Sequence, residues 1–203
     1  MFTLYGAKGS GSAAIESALA IAGLPFRTVE AASWEPGPGL EELKRVNPLA
    51  QIPTLVLEDG TVMTESAAIL IWLGLHHPRS GLLPAEPAQA IRGLVFIAAN
   101  CYAAIGIIDY PERFCADCDK ATAERIREGA KARLHMYWDL FADQFGAMLK
   151  PGDPGALELL AATVSRWSGA RAHLKEHRPA FHATLERVEA EPRIAPIFRR
   201  HWP

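Results

Sequence analysis

Cysteine is nearly absent from this chain, with three in 203 residues and none before Cys101. An odd number of thiols, in a chain long enough to bury its own core, argues against a disulfide framework. The cysteine-free first half also excludes dithiol redox chemistry at its first helix, where the nucleophile would have to stand. Charge of one sign is lacking too. Twenty-one Lys and Arg against 23 Asp and Glu leave a formal charge of −2, so no overall field would hold nucleic acid or an anionic membrane, and neither is expected as a partner. Uninterrupted apolar runs such as Ala67–Leu73 fall far short of the roughly 18 to 20 residues of a membrane span. Met1-Phe2-Thr3-Leu4-Tyr5 does not open a signal peptide, which makes a cytoplasmic location the expectation. There is no His-Glu-x-x-His spacing and no phosphate loop. Cys115-Ala116-Asp117-Cys118 has no second ligand pair, so no metal is expected.

What is present is ordinary globular composition, 49% hydrophobic and 22% charged, which suits one large domain or two small ones. Phe2–Tyr5 is short and β-prone and runs into a turn with three glycines, Gly6, Gly9 and Gly11. Ile15, Ala18, Leu19 and Ala22 then recur at helical spacing up to Gly23, and Pro25 prevents continuation. Phe26–Glu30 can form a second strand, parallel to the first across the intervening helix. Leu40–Val46 permits a short helix. Thr54–Leu57 and Thr61–Met63 flank Glu58-Asp59-Gly60 as an antiparallel hairpin. Thr64 can cap a helix starting at Glu65 that turns Ala68, Ile69, Trp72 and Leu73 toward a core. The order is βαβ, a helical connection, then ββα. Residues 78–87, with Pro78, Pro84 and Pro87, read as an ordered surface linker between residues 1–77 and an all-helical 88–203. Helical patterns run from Ala88 to about Tyr110, from about Lys120 to Leu149, over Leu157–Trp167, and around Gly169–Glu176 and Pro179–Ala190.

The order of elements, together with Asn47-Pro48-Leu49-Ala50-Gln51-Ile52-Pro53-Thr54-Leu55 and Asp59-Gly60-x-x-x-Thr64-Glu65-Ser66-x-Ala68-Ile69, resembles the first domain of cytosolic glutathione S-transferases. The helical remainder and the ending Arg199-Arg200-His201-Trp202-Pro203 resemble the second domain of bacterial members. The resemblance implies a thioredoxin-like α/β domain with a mixed four-stranded sheet, followed by an all-α domain. It also implies glutathione as co-substrate, a small electrophile as second substrate, and a homodimer. In that family the peptide before the equivalent of Pro53 is cis, so that Ile52 can pair with the cysteinyl part of glutathione as an added strand would. Gln51, Ile52, Pro53, Glu65 and Ser66 are the implied glutathione-binding residues. Independently of the family, a helix start at Thr64-Glu65-Ser66 offers unpaired N–H groups and a positive dipole end to a carboxylate, while Ser66 adds a donor. Glu65 can meet the ammonium of the same γ-glutamyl group.

Such an enzyme must hold sulfur as thiolate against a free pKa of about 8.5. The family places a Tyr, Ser or Cys in the loop after the first strand. Counted from Ala22-Gly23, the cysteine of the bacterial cysteine-type members falls on Gly11, and the tyrosine position falls on Gly6, next to Tyr5. Ser10 is the first choice for the donor and Ser12 the second, Ser12 also being a plausible helix cap. Backbone N–H groups alone are the alternative. The electrophile pocket is expected along the helix that opens the second domain, at Asn100, Tyr102, Ala103, Gly106, Ile107 and Tyr110, with Trp138 from the next helix. The family's Ser or Thr cap in the second domain is here Gly155, leaving Glu158 to bond back to the cap amide. The implied function is a glutathione transferase with a role in detoxification. The alternatives are a non-catalytic glutathione-binding protein, or a glutathione-dependent isomerase, dehalogenase or peroxidase.

Overall fold

The structure is a computed structural model describing residues 1–203. Strands β1 (Phe2–Gly6), β2 (Phe26–Glu30), β3 (Thr54–Val56) and β4 (Val62–Met63) form one mixed sheet in the order β2-β1-β3-β4. β1 runs parallel to β2 and antiparallel to β3, and β3 is antiparallel to β4. Alternation along β1 assigns its two faces. Phe2 and Leu4 enter the main core with α1 (Ser12–Ile21) and α3 (Ser66–His76), whereas Tyr5 joins Leu43 of α2 (Pro38–Val46) on the other face. Tyr5 also donates to Glu42 Oε1 at 2.7 Å, so its hydroxyl is tied to α2.

The helical part is a run of α4 (Ala88–Phe96), a π-helical segment (Ile97–Tyr102) and α5 (Ala103–Asp109), followed by α6 (Lys120–Phe145), α7 (Ala156–Val164), α8 (Ala170–His177), α9 (Pro179–Glu189) and α10 (Ala195–His201). One contiguous core of 37 buried residues runs from Phe2 and Leu4 through Ile15, Leu70, Leu157 and Trp138 to Phe198, so the two parts share their interior. α1 lies at the junction. Every residue from Ser12 to Leu19 is buried, more than a one-sided amphipathic stripe would give. The small side chains Ala13, Ala14, Ser17 and Ala18 let α3, α7 and α10 approach α1 together with the sheet. Between α1 and α10 the buried Glu16 carboxylate pairs with Arg200 and with His201 Nε2, the latter at 2.9 Å.

Several expectations need correction. α3 begins at Ser66, and its N-cap is Glu65 at φ 64°, ψ 110°, with no side-chain cap bond. Thr64 does not cap it. α3 is apolar on all sides, so Ala67, Ile69, Leu70 and Leu73 are buried while Ala68 is exposed and Trp72 only half-buried. The linker is not merely superficial. Leu82 is buried, and its carbonyl accepts from Ala156 N–H at 2.8 Å, which satisfies one donor at the start of α7. α10 was not expected, because seven residues containing Pro196 and three basic side chains give little apolar periodicity. Ala88–Asp109 forms a 22-residue helical run long and apolar enough to cross a membrane, by length and composition only. Arg92 and Asn100 interrupt it, so a search for unbroken apolar residues passes over it. In this fold the run packs against α6 and α7.

Candidate functional site

A cleft of about 520 Å³ opens between the sheet end of the first part and the α4–α5 run. The chain turns into it three times from the first part: at Gly9-Ser10-Gly11 before α1, at Gln51-Ile52-Pro53 before β3, and at Thr64–Ala67 at the start of α3. Each turn leaves main-chain groups unpaired. Gly11 N–H has no acceptor within the protein. Ile52, joined to Pro53 by a cis peptide, uses neither its N–H nor its C=O in the sheet. The neighbouring Gln51 carbonyl is instead held by Asn47 Nδ2 at 3.1 Å and Thr54 Oγ1 at 2.8 Å, which fixes the turn. Ser66 and Ala67, as the first residues of α3, direct N–H groups out of the helix start. Neither the Ser66 hydroxyl nor the Glu65 carboxylate is engaged within the protein. At φ 64° and ψ 110°, Glu65 occupies a region costly for a residue with a Cβ, the kind of strain that gathers at ligand sites.

The hydroxyls of Ser10 and Ser12 bond within the turn itself. Ser10 Oγ donates to Ala7 C=O at 2.7 Å and lies 3.2 Å from Ser12 N–H, which donates to it. The two hydroxyl oxygens are 2.8 Å apart, and Ser12 Oγ also lies 3.3 Å from Ala7 C=O. With one proton each, both hydroxyls are occupied in closing the turn. Ser10 still lines the cleft, whereas Ser12 does not and makes no cap bond to α1. Gly11 holds the cap position.

From the helical part the cleft takes Ala98, Tyr102, Ala103, Gly106 and Tyr110 of the α4–α5 run. Asn100 does not belong to it, since its Nδ2 donates to Phe96 C=O of its own helix at 3.1 Å. Ile107 is also outside, and Trp138 is wholly buried. Asn100 lies within the π segment, where bonds spanning five residues shift side chains from the positions a 3.6-residue period assigns. Side chains not expected in the pocket also line the cleft: Trp34, Ile105, Asp109, Arg113, Phe114 and Trp167. Trp34 stands on a turn, and Arg113 and Phe114 in a short 3-10 helix (Pro111–Phe114), where hydropathy periodicity carries no signal. The Arg113 guanidinium lies 3.8 Å from the centroid of the Tyr110 ring. Burial raises the Asp109 carboxyl above the ordinary aspartate range. Trp167 Nε1 donates to Gly9 C=O at 3.2 Å, so the turn between α7 and α8 holds the turn before α1.

Gly11 stands where three side chains meet. A Cβ there would lie 2.6 Å from Tyr102 Oη, 3.4 Å from Pro53 Cδ and 3.5 Å from Ser66 Oγ.

Residues 12–75 match the family model for the N-terminal domain of glutathione S-transferase. The uncharacterized GST-like protein YncG of Escherichia coli strain K12 is 29% identical over 210 residues, covering 99% of this chain and 98% of its own. A glutathione transferase from Methylococcus capsulatus superposes with a TM-score of 0.76 at 26% identity, over 99% of this chain and 98% of that one. Residues 12–75 therefore carry a glutathione S-transferase N-terminal domain, and the whole chain has the fold of these transferases. A glutathione transferase homolog from Sulfitobacter, solved with bound glutathione, has the same fold, with a TM-score of 0.77 at 22% identity over 97% of this chain and 96% of that one.

Proposed function

We propose that this chain is a member of the glutathione S-transferase family, a glutathione transferase that binds glutathione across the three turns and directs its sulfur at a small electrophile held against the α4–α5 run. The observation that carries the reading is that the unpaired groups of Gly11, Ile52 and Ser66 all belong to residues lining one cleft. They match the three parts of the tripeptide that need partners. The γ-glutamyl carboxylate meets the Ser66 and Ala67 N–H groups and the Ser66 hydroxyl, with its ammonium at Glu65. The cysteinyl backbone pairs with Ile52 in the manner of an added strand, flanked by Gln51 and Pro53. The thiolate sits at Gly11 N–H and the positive end of α1. Attack forms a bond from sulfur to an electrophilic carbon, and the leaving group departs with its electron pair; in an addition, the carbanion takes up a proton. The electrophile's apolar part rests on Tyr102, Ala103, Gly106 and Tyr110. A homodimer in the cytoplasm, removing reactive electrophiles, is part of the same reading.

Calorimetric titration with glutathione, followed by a conjugation assay with an activated aryl chloride, tests it. Binding with turnover is the expected result. Binding without turnover would make the chain a glutathione-binding module, and no binding would refute the reading. Sedimentation equilibrium at micromolar concentration should show a dimer.

A further inference from the structure

We propose that the Tyr102 hydroxyl, from the helical part of the chain, is the side-chain donor to the glutathione thiolate. The inference rests on the transferase reading above and adds the residue that contacts sulfur. Its starting point is the close approach at Gly11, where the lack of a Cβ lets the Tyr102 hydroxyl come up against the backbone that opens α1. A thiolate held by the N–H groups at the start of α1 would lie beside Gly11, and the nearest side-chain polar group there is Tyr102 Oη, 2.6 Å from where a Cβ on Gly11 would stand. Ser66 Oγ, at 3.5 Å, is the next polar atom.

The hydroxyl is free to act. Tyr102 Oη makes no hydrogen bond within the protein, whereas Ser10 and Ser12 have both hydroxyls occupied by the turn. The ring is held in place. It packs on Trp167 with centroids 5.6 Å apart, and Trp167 is itself bonded to Gly9 C=O, so one contact chain fixes the donor relative to the turn. Tyr102 closes the π segment, a distortion often found where a helix aims a side chain at a site. The chemistry also fits a donor rather than a base. Burial, reinforced by the Glu65 and Asp109 carboxylates, pushes the phenol up to about 12, so it keeps its proton at neutral pH. A neutral phenol can therefore give a hydrogen bond to the anion without competing for its charge.

The test uses the full chain, with glutathione binding followed by calorimetry and the ultraviolet absorbance of the bound thiolate followed against pH. The parent should bind with its thiol below the free value of about 8.5. Tyr102→Phe should bind within about threefold of the parent but titrate about one to two pH units higher, the size expected from losing one hydrogen bond to an ion. Ser66→Ala should do the reverse, losing affinity with little change in the titration. If the parent fails to bind, the transferase reading falls and this inference falls with it. If the parent binds and the thiol titrates at the same pH in parent and Tyr102→Phe, or is not lowered in the parent at all, only the assignment of Tyr102 is overturned. Should Tyr102→Phe not fold, a fluorinated and more acidic tyrosine at position 102 keeps the shape. It should lower the thiol titration further, and an unchanged titration would overturn the assignment.

Discussion

At the scale of single residues, the site separates groups that bind from groups that build. Glu65 and Ser66 make no internal side-chain bonds and line the cleft, so Glu65→Ala and Ser66→Ala should each weaken glutathione binding about ten- to a hundredfold, the range for one hydrogen bond to a charged group. Calorimetry checks this, and unchanged affinity in both variants would displace the γ-glutamyl site from α3. Ser10 belongs to the other group. Because its hydroxyl holds the Ala7 carbonyl and receives the Ser12 amide, Ser10→Ala should cost stability, roughly 1 to 3 kcal/mol, and leave the thiol titration of bound glutathione where it was. Urea unfolding and the thiolate absorbance separate the two effects. Gln51 came forward only through the family resemblance, whereas Pro53, Glu65 and Ser66 were also legible from residue types, because a helix start or an X-Pro bond before a strand is a local feature. The direction of the Ser10 and Ser12 hydroxyls was not legible, since a loop containing three glycines has no preferred hydroxyl orientation until the chain is folded. Nor did the pattern show Tyr102 meeting Gly11, a contact made only when residues 91 positions apart in the chain come together.

The elements follow the same division between local and distant causes. Strands β1 to β3 and the first helices stand within a few residues of where alternation, Gly23 and the breaker-rich segment from Trp34 to Gly39 place them. The π segment and α10 escaped because neither has a periodicity of its own. α7 shows how an element can be stabilised from outside its sequence. Gly155 lacks the cap side chain, but the Leu82 carbonyl takes the Ala156 N–H, while Glu158 accepts from Gly155 N–H at 3.0 Å and Lys150 N–H at 2.7 Å. A Cβ on Gly155 would lie 2.8 Å from that same Leu82 oxygen. Gly155→Ser should therefore destabilise the protein by roughly 1 to 3 kcal/mol, since the crowding outweighs the few tenths gained by a better cap. A raised urea midpoint would contradict this. Glu158 adds a pH effect of definite sign. Burial raises its carboxyl above the ordinary glutamate range, more than its backbone bonds lower it. The folded state thus holds this proton more tightly than the unfolded chain does. Its contribution to stability falls as pH rises from the unfolded value to the raised folded one, and is flat above that. Above the unfolded glutamate value of about 4.3, denaturant midpoints should fall with rising pH in the parent relative to Glu158→Gln, and parallel profiles would exclude it.

At the scale of the whole molecule, the site and the core are built by both parts of the chain at once. α1 carries the turn at Gly11, yet it is buried by α7 and α10 as well as by the sheet and α3. Glu16 is tied to Arg200 and His201, Trp167 to Gly9, and the core of 37 residues passes through the junction without a break. A helix surrounded on all sides cannot lose one of its packing partners without exposing apolar surface, worth about 25 cal/mol for each Å². The α/β part and the helical part should therefore unfold together. In urea, tryptophan fluorescence should follow the same single transition as far-ultraviolet circular dichroism, even though Trp34 and Trp72 stand in the first part and Trp138, Trp167 and Trp202 in the second. Glutathione at about a hundred times its dissociation constant should displace that entire transition by about 2.7 kcal/mol, because a ligand of the native state stabilises everything that unfolds with its site. Separated transitions, with only the one assigned to the first part moving on addition of glutathione, would show that the shared core does not couple the two parts and that the helical side of the cleft is dispensable for holding the tripeptide.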